Sequence, residues 1–201
     1  MDMSFVDMPE PEFDPAIHYA RKCSVRLLER ILEHNNFDIR KVTKDMHDVL
    51  ERRIPKVNTI VFKGPPGAGK SYITRPLTLL CPFYGQIAGQ GNDRFMFEDA
   101  IDKRWMYIEE PLWSQDVIEQ MKLVMEGAPM RLPTKFTDKT IMARTPVVIT
   151  TNNDLWLLSQ AAAPALMARC RHYELHAYPA LKQLKKQLNA LVWVDMFNKY
   201  L

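Results

Sequence analysis

Eight consecutive residues, 64–71, constrain this chain more than any other part of its sequence. They read GPPGAGKS, which fits the pattern G-x-x-x-x-G-K-[ST]. Residues 58–62 before them predict a buried strand, and a helix should begin at Lys70 or Ser71. Only seven residues of the chain are glycine, and three of them fall in this loop. Glycine is therefore concentrated where a backbone would have to bend around a phosphate.

This loop predicts that the chain binds a nucleoside triphosphate together with Mg²⁺. Successive backbone N–H groups can converge on a phosphate, and the N-terminal end of the following helix adds positive potential. Lys70 should reach the β- and γ-phosphates, and the Ser71 hydroxyl should coordinate Mg²⁺. The predicted phosphate-binding residues are Gly64, Pro65, Pro66, Gly67, Ala68, Gly69, Lys70 and Ser71.

Beyond the first strand, predicted strands and helices alternate, which indicates a parallel sheet with helices on its faces. Further strands are predicted at 84–88, 105–108 and 146–151, and a helix with Ser114 as its N-cap should end at Gly127. Residues 129–142 have the pattern of a hairpin. A C-terminal helix is expected from Ala180 onward, because four leucines recur there at helical spacing: Leu181, Leu184, Leu188 and Leu191.

The N-terminal part has a different pattern. Residues 1–13 are rich in proline and acidic residues and are expected to be an extended or frayed lead-in. Residues 16–53 carry apolar side chains at a spacing of three to four, which predicts two or three helices that end before Pro55. We therefore divide the chain into an N-terminal extension and helical unit, 1–55, and an α/β core of the P-loop NTPase type, 56–201, with its C-terminal helix.

Polar residues follow two of the predicted strands. Glu109 and Glu110 come directly after 105–108, at the sheet edge where open α/β sheets bind their ligands. One carboxylate can hold the Mg²⁺ and the other can deprotonate a water, which favours hydrolysis over transfer to a metabolite. Asn152 follows the strand at 146–151 and can sense the γ-phosphate. The Asn-Lys-x-Asp pattern of guanine-specific proteins is missing there, which favours ATP.

Composition and charge restrict which partners and which cell compartment the chain can have. With 27 Lys and Arg against 24 Asp and Glu, any nucleic acid would have to be bound by a local patch rather than by a basic body. Three cysteines lie far apart without a C-x-x-C pair, which argues against a zinc ribbon and for a reducing compartment. No apolar run approaches the roughly 20 residues that span a bilayer, so no membrane contact is expected and an intracellular, soluble chain is predicted.

Taken together, these motifs resemble superfamily 3 helicases, and most closely the helicase domain of parvoviral, densovirus-like Rep-type initiator proteins. The resemblance extends over about residues 25–177 and rests on order and spacing as well as on the loop. It is carried by residues 28–38, 58–60, 95–99, 108–110, 125–127 and 146–152, and by Arg131 and Lys135. It implies an AAA+-like fold, ATP hydrolysis, and translocation from 3′ to 5′ on single-stranded DNA.

The resemblance also implies roles for particular residues. Lys70 and Ser71 match the Walker A pair, Glu109 the metal-side acid, Glu110 the catalytic base, and Asn152 the residue called sensor 1. In a separate segment, Arg169 matches an arginine finger given to the neighbouring subunit, with Arg171 as the rival. Activity would then require a homo-oligomer, expected to be a hexameric ring that the N-terminal helical unit helps to form. Viral DNA replication implies the host nucleus.

The family's DNA-contacting element is the hairpin before sensor 1. Residues 129–145 carry four cationic side chains against one carboxylate, so the loop could grip the phosphates of a strand. The residues proposed to contact DNA are Arg131, Lys135, Phe136 and Lys139, with Phe136 available for stacking; Arg144 is the fourth cation. Residues 126–127 and 133–134 depart from the family's usual pattern, which leaves open which lysine leads.

Two other functions remain open from the sequence. A P-loop kinase for a small metabolite would use ATP only with an acceptor, and the paired glutamates argue against it. An ATP-gated assembly or packaging module would bind nucleotide and partners without unwinding DNA. ATPase activity with and without single-stranded DNA, together with the oligomeric state, would distinguish the three.

Overall fold

A computed structural model describes residues 3–90, 96–132 and 140–201, with residues 88–90 and 140 described by their backbone alone. The helices are α1 (Arg21–His34), α2 (Ile39–Leu50), α3 (Lys70–Leu80), α4 (Gln115–Glu126), α5 (Ala163–Met167) and α6 (Val192–Tyr200). The strands are β1 (Thr59–Lys63), β2 (Tyr84–Gln90), β3 (Trp105–Leu112), β4 (Met130–Leu132), β5 (Thr140–Met142), β6 (Val147–Thr151) and β7 (Cys170–Glu174).

Five strands form one parallel sheet in the order β2-β3-β6-β1-β7. The strand that leads into residues 64–71 therefore lies inside the sheet, between β6 and β7. Alternate residues of each strand face opposite sides: Ile60 and Phe62 pack under α1, α2, α3 and α6, whereas Val61 packs under α4 and the hairpin. This confirms the predicted α/β fold with helices on both faces of the sheet.

The N-terminal helical unit consists of two helices, α1 and α2, in agreement with the predicted pattern. Both pack against α6, and their buried residues share one hydrophobic core with β1 and α3. The division at residue 55 remains a prediction.

Residues 3–8 are anchored, so the expectation of a frayed lead-in is wrong for them. Phe5 is fully buried, and its backbone N–H donates to the Glu51 carboxylate at 2.7 Å. Buried Arg104 donates to the carbonyl of Met3 at 2.9 Å and to Glu51 at 2.9 Å, and its guanidinium lies over the Phe5 ring. The sequence pattern missed this because the anchor depends on residues about 50 and 100 positions away.

The predicted helix from Ala180 is also wrong. A short 3₁₀ turn occupies Pro179–Gln183, and the C-terminal helix α6 begins only at Val192. Between them the backbone of Gln187 bonds to Ile17 and Tyr19, which pairs this position with residues 17–19 instead of with a helix turn. The leucines have helical spacing, but no helix carries them: Leu188 and Leu191 are buried in the core, whereas Leu181 and Leu184 are half-buried.

Candidate nucleotide-binding site

The loop at residues 64–71 connects the end of β1 to the start of α3, as predicted. The Gly64 N–H donates to the Thr151 carbonyl at 2.9 Å, which ties the loop to the end of β6. A Cβ on Gly64 would lie 2.3 Å from the Leu175 carbonyl oxygen, so no larger residue fits there. Gly67 and Gly69 have φ angles of +78° and +92°, a backbone conformation that favours glycine. These glycines shape a backbone that turns sharply into the N-terminus of α3.

Lys70 lies at the centre of the site with 7% of its surface exposed. Its ammonium donates to the Gly64 carbonyl at 2.6 Å and to the Asn152 side-chain oxygen at 2.7 Å, and it lies 4.0 Å from Glu110. Burial lowers the pKa of Lys70, and the charges of Glu110 and Glu109 oppose that shift. The structure thus brings together the predicted loop lysine, the sensor amide and one of the two acids.

The two acids reach different partners at the mouth of the loop. The Ser71 hydroxyl donates to Glu109 at 3.2 Å, and the backbone N–H of Asn152 donates to Glu110 at 2.8 Å. Both carboxylates point toward α3 and β6, although consecutive strand residues normally face opposite sides. Glu110 has a φ of +47°, and the pairing of β2 with β3 shifts register at Ala88. This local break in β3 accounts for both acids lying at one edge.

This strand is longer than predicted. The sequence placed its end at Ile108, before the acids, whereas β3 continues to Leu112. Glu109 still pairs in register with Thr150 of β6. The acids therefore lie within a strand at its irregular position, not in a loop after it.

The oxygen atoms of Ser71 and Glu109 are the kind of ligand that Mg²⁺ prefers, and they lie within hydrogen-bonding distance of each other. In residues 3–90, 96–132 and 140–201, no cluster of three or more His, Cys, Asp or Glu side chains could hold a metal ion. A site of one or two protein oxygens suits Mg²⁺, which usually completes its shell with phosphate oxygens and water.

A buried hydroxyl network below the loop was missed from the sequence. The hydroxyls of Tyr107 and Thr150 lie 2.9 Å apart, and Thr74 donates to the Lys70 carbonyl at 3.1 Å while lying 3.5 Å from Tyr107. Burial raises the pKa of Tyr107, so its proton is retained. The network joins α3, β3 and β6 directly beneath Lys70. No local pattern marks it, because its members come from three separate elements.

Residues 175–183, which we call the strap, cross over the loop after β7. The Tyr178 N–H donates to the Gly67 carbonyl at 3.3 Å, and the His176 N–H donates to the Asn35 side chain at 2.6 Å. The Tyr178 ring stacks on His34 at the end of α1, with centroids 4.2 Å apart. The strap thereby links the loop to the helical unit.

A cleft of about 460 Å³ opens between the loop and the strap. Its walls combine predicted site residues with Tyr72 and Lys182, which the sequence did not single out, and with Leu181, which it placed elsewhere. Leu181 was placed on the face of a helix, so its position beside Gly69 could not be foreseen. The full lining is Pro66, Gly67, Gly69, Lys70, Ser71, Tyr72, Glu110, Asn152, Leu181 and Lys182.

Arg169 lies at the amino ends of the sheet strands, opposite the carboxyl ends where the cleft opens. It precedes β7, whose first residue pairs with the first residue of β1, whereas the loop follows the last residue of β1. A five-residue strand separates these edges by about 16 Å. The Arg169 guanidinium is bound to Glu126 at 2.7 Å and to the Ala165 carbonyl at 2.7 Å. Its rival Arg171 lies 3.3 Å from Asp45 of α2. Neither arginine reaches the cleft of its own chain.

The hairpin arms are present, with β4 and β5 antiparallel and Arg131 opposite Ile141. Arg131 is exposed. Lys135, Phe136 and Lys139 lie outside the described residues. Arg144, the fourth cation of this segment, has partners within the chain: its guanidinium donates to the carbonyls of Ile54 and Val57 and to the Asn58 side-chain oxygen.

The described part of the chain contains no helix that is both long and apolar enough to cross a membrane.

Comparison with known proteins identifies the family. The family model described as "Parvovirus non-structural protein NS1" matches residues 14–163. Initiator protein NS1 of Junonia coenia densovirus is 31% identical over 155 residues, which are 76% of this chain and 28% of that protein. Initiator protein NS1 of Bombyx mori densovirus is 27% identical over 198 residues, 91% of this chain and 22% of that protein. The chain thus spans about a quarter of the length of these two relatives.

Among solved structures, the JCV helicase is similar in fold, with a TM-score of 0.57 and 15% identity over 82% of this chain and 47% of that one. That likeness agrees with the sheet order and the loop in assigning a P-loop NTPase fold. On the match over residues 14–163, the chain belongs to the parvovirus non-structural protein NS1 family.

Proposed function

We propose that this chain is the ATP-hydrolysing motor of a viral replication initiator and works as a DNA helicase. The observation that carries the proposal is the junction at Lys70, where the loop lysine, Asn152 and Glu110 converge while Ser71 meets Glu109. The initiator proteins that resemble the chain support the same function.

In this proposal, the backbone of residues 64–71 and the ammonium of Lys70 bind the triphosphate of ATP. Ser71 and Glu109 would hold Mg²⁺, which would neutralise charge on the phosphates. Glu110, held by the Asn152 N–H, orients the attacking water and accepts its proton. The side-chain oxygen of Asn152 gives up the bond that it accepts from Lys70, and the amide then donates through Nδ2 to the γ-phosphate or accepts from the water through Oδ1.

Two further parts of the proposal concern partners. Arg169 acts in a neighbouring copy, within a homo-oligomer that we propose to be a hexameric ring. The hairpin, through Arg131, Lys135, Phe136 and Lys139, contacts single-stranded DNA. The exposed position of Arg131 and the distance of Arg169 from its own cleft support these roles. The proposed location is the host nucleus.

Replacing one acid separates binding from turnover. Glu110→Gln keeps the size and one acceptor oxygen of the side chain but cannot accept the proton, so ATP turnover should fall by about 100-fold or more. Nucleotide affinity should change little, because Glu110 lies 4.0 Å from Lys70 and is not part of the loop. The measurements are phosphate release with and without single-stranded DNA and binding of a fluorescent ATP analogue.

Lys70→Ala should abolish nucleotide binding in the same assays. The matched control for Glu110→Gln is Glu33→Gln. Glu33 is an exposed residue on α1, and its replacement should leave ATP turnover unchanged. Parental turnover by Glu110→Gln would remove Glu110 from its proposed role. Consumption of ATP that depends on a small acceptor rather than on water would instead favour a kinase, and binding without turnover by the parent chain would favour an assembly module.

A further inference from the structure

A second basic surface lies away from the hairpin, on the helical unit. The N-terminal half of α1 and the C-terminal half of α6 form a groove of about 470 Å³. We call it the α1–α6 groove, and its lining residues are Arg21, Lys22, Val25, Arg26, Asp195 and Lys199. Four of these six side chains are cationic and one is acidic. The two helices come from sequence segments about 170 residues apart, so the cluster is created only by folding.

The acids that pair with this groove are recessed, and the cations project. Arg21 binds Asp195 through two bonds of 3.0 and 2.5 Å, yet 46% of the Arg21 side chain is exposed against 18% for Asp195. Lys199 binds Glu29 at 2.6 Å, with 52% of Lys199 exposed against 15% for Glu29. In each of these two ion pairs the cation is therefore more exposed than its carboxylate, so a ligand would meet positive charge first.

Glu29 is held in its charged form. Burial raises the pKa of Glu29, but hydrogen bonds from Lys199 and Tyr200 outweigh burial and keep the pKa below its usual range. One acid lies nearer the surface: Glu10 is 3.8 Å from Arg21. Arg21 and Lys199 thus have acidic partners within the chain.

Lys22 and Arg26 are the other two cations that line the α1–α6 groove. Within the described residues, neither makes a hydrogen bond or an ion pair, and both are exposed. They lie four residues apart on α1, so both side chains leave the same face of the helix about 6 Å apart. The first turn of α1 contains no acidic residue, and its N-cap, Ala20, has no side chain that could accept a hydrogen bond. The charge of Glu29, one turn further along α1, acts on Arg26, but the Glu29 carboxylate already accepts hydrogen bonds from Lys199 and Tyr200.

We propose that the α1–α6 groove binds the phosphodiester backbone of DNA, as a contact separate from the hairpin. Lys22 and Arg26 each neutralise one phosphate, and Arg21 and Lys199 line the path of the strand. A nucleic acid fits better than an acidic protein segment because the groove offers cations with a single short apolar side chain, Val25, and so little surface for burying a protein partner.

The test measures how DNA affinity depends on salt. The probes are a fluorescein-labelled 20-nucleotide oligothymidylate and a 20-base-pair duplex, with anisotropy recorded on the full chain without nucleotide between 50 and 200 mM salt. Lys22→Ala/Arg26→Ala should bind on the order of tenfold more weakly at 100 mM salt. The log–log salt slope should fall by about 1.4 for the single strand or about 1.8 for the duplex, as expected for two lost phosphate contacts.

The matched control is Arg40→Ala/Lys56→Ala, which also removes two exposed cations from the N-terminal part of the chain but outside the groove. Its slope should equal that of the parent. Equal weakening of both double variants would assign the effect to overall charge and overturn the proposal, as would an unchanged slope in Lys22→Ala/Arg26→Ala. The two probes distinguish single-stranded from duplex DNA as the ligand. Because no nucleotide is present, a chain that fails to hydrolyse ATP would still give a clear result.

Discussion

At the scale of single residues, Glu110 combines an unfavourable backbone conformation with a hydrogen bond that holds its carboxylate. A φ of +47° is costly for a residue with a side chain, on the order of 1–3 kcal/mol. The Asn152 N–H holds the carboxylate in return, and β6 on one side and β2 on the other keep this part of β3 in place. Such strain is commonly found where a side chain must face a reacting group. Its position at the cleft fits the proposed role of Glu110.

His47 should make the stability of the chain depend on pH. Burial against α6, with the Phe197 ring 5.0 Å away, lowers the pKa of His47 below its usual value of 6.5. The unfolded chain therefore binds more protons than the folded chain as the pH falls through about 6.5, so the free energy of unfolding should decrease there. One such group contributes at most about 1.4 kcal/mol per pH unit. Urea denaturation between pH 7.5 and 5.5 measures this slope.

His47→Gln should flatten that slope without removing it, because burial lowers the pKa of His172 as well. His176→Gln serves as the control, since its side chain is exposed and its replacement should leave the slope as in the parent. An equal slope in His47→Gln and the parent would show that His47 does not cause the acid sensitivity.

At the scale of elements, the sequence predicted those whose signals are local. Strands β1, β3 and β6, helix α3 after the loop, and helix α4 between Ser114 and Gly127 all occur near their expected places. Gly127 ends α4 with a φ of +78°, as a C-terminal glycine should. Apolar periodicity and cap residues depend only on residues close in the sequence, and they were sufficient to predict these elements.

Elements that depend on distant contacts could not be predicted. The leucines from Leu181 onward have helical spacing, but Leu181 lies beside Gly69 of the loop at the margin of the core, and Leu188 is buried in that core without a helix between them. In the candidate site, the charged residues could be identified because their types suit phosphate chemistry. Tyr107 and Thr74 could not, since a buried hydroxyl network depends on which elements become neighbours.

Arg144 should act on stability rather than on DNA. Its guanidinium spans the Asn58 side chain and the carbonyls of Ile54 and Val57, with the shortest bond at 2.6 Å. A lysine has the same charge but cannot span these acceptors, so Arg144→Lys should lower the free energy of unfolding by about 2–3 kcal/mol. Urea denaturation gives this value, and oligothymidylate anisotropy should show parental affinity.

Exposed Arg131 provides the comparison for Arg144. Arg131→Lys should change the free energy of unfolding by less than about 0.5 kcal/mol. If Arg144→Lys instead weakened DNA binding and kept parental stability, Arg144 would belong to the DNA-contacting surface.

At the scale of the whole molecule, complementation can test whether Arg169 acts in a neighbouring copy. Lys70→Ala removes a chain's own nucleotide site and keeps its arginine, whereas Arg169→Lys keeps the site and a positive charge beside Glu126. Each variant alone should have at most background ATPase activity, because an arginine finger contributes about 10³–10⁵ in rate. An equal mixture should recover about a quarter of parental activity, since a site works only where a Lys70→Ala neighbour supplies its arginine.

Arg171→Lys is the informative comparison in that experiment. If Arg171→Lys is inactive alone and recovers with Lys70→Ala, while Arg169→Lys stays active, the finger is Arg171. A mixture of Lys70→Ala and Arg169→Lys that remains at background would argue against any arginine supplied between copies from position 169.

The separation of Arg169 and the cleft by the full length of β1 sets the geometry of any such assembly. An arginine on one edge that completes a site on the opposite edge of its neighbour makes a head-to-tail contact. Two copies related by a two-fold axis cannot satisfy it, because it joins different surfaces. In an open row of copies, the cleft of one terminal copy would receive no arginine, and the arginine of the other terminal copy would enter no cleft. Only a closed ring supplies every cleft with an arginine, so ATP turnover per chain should rise as rings form.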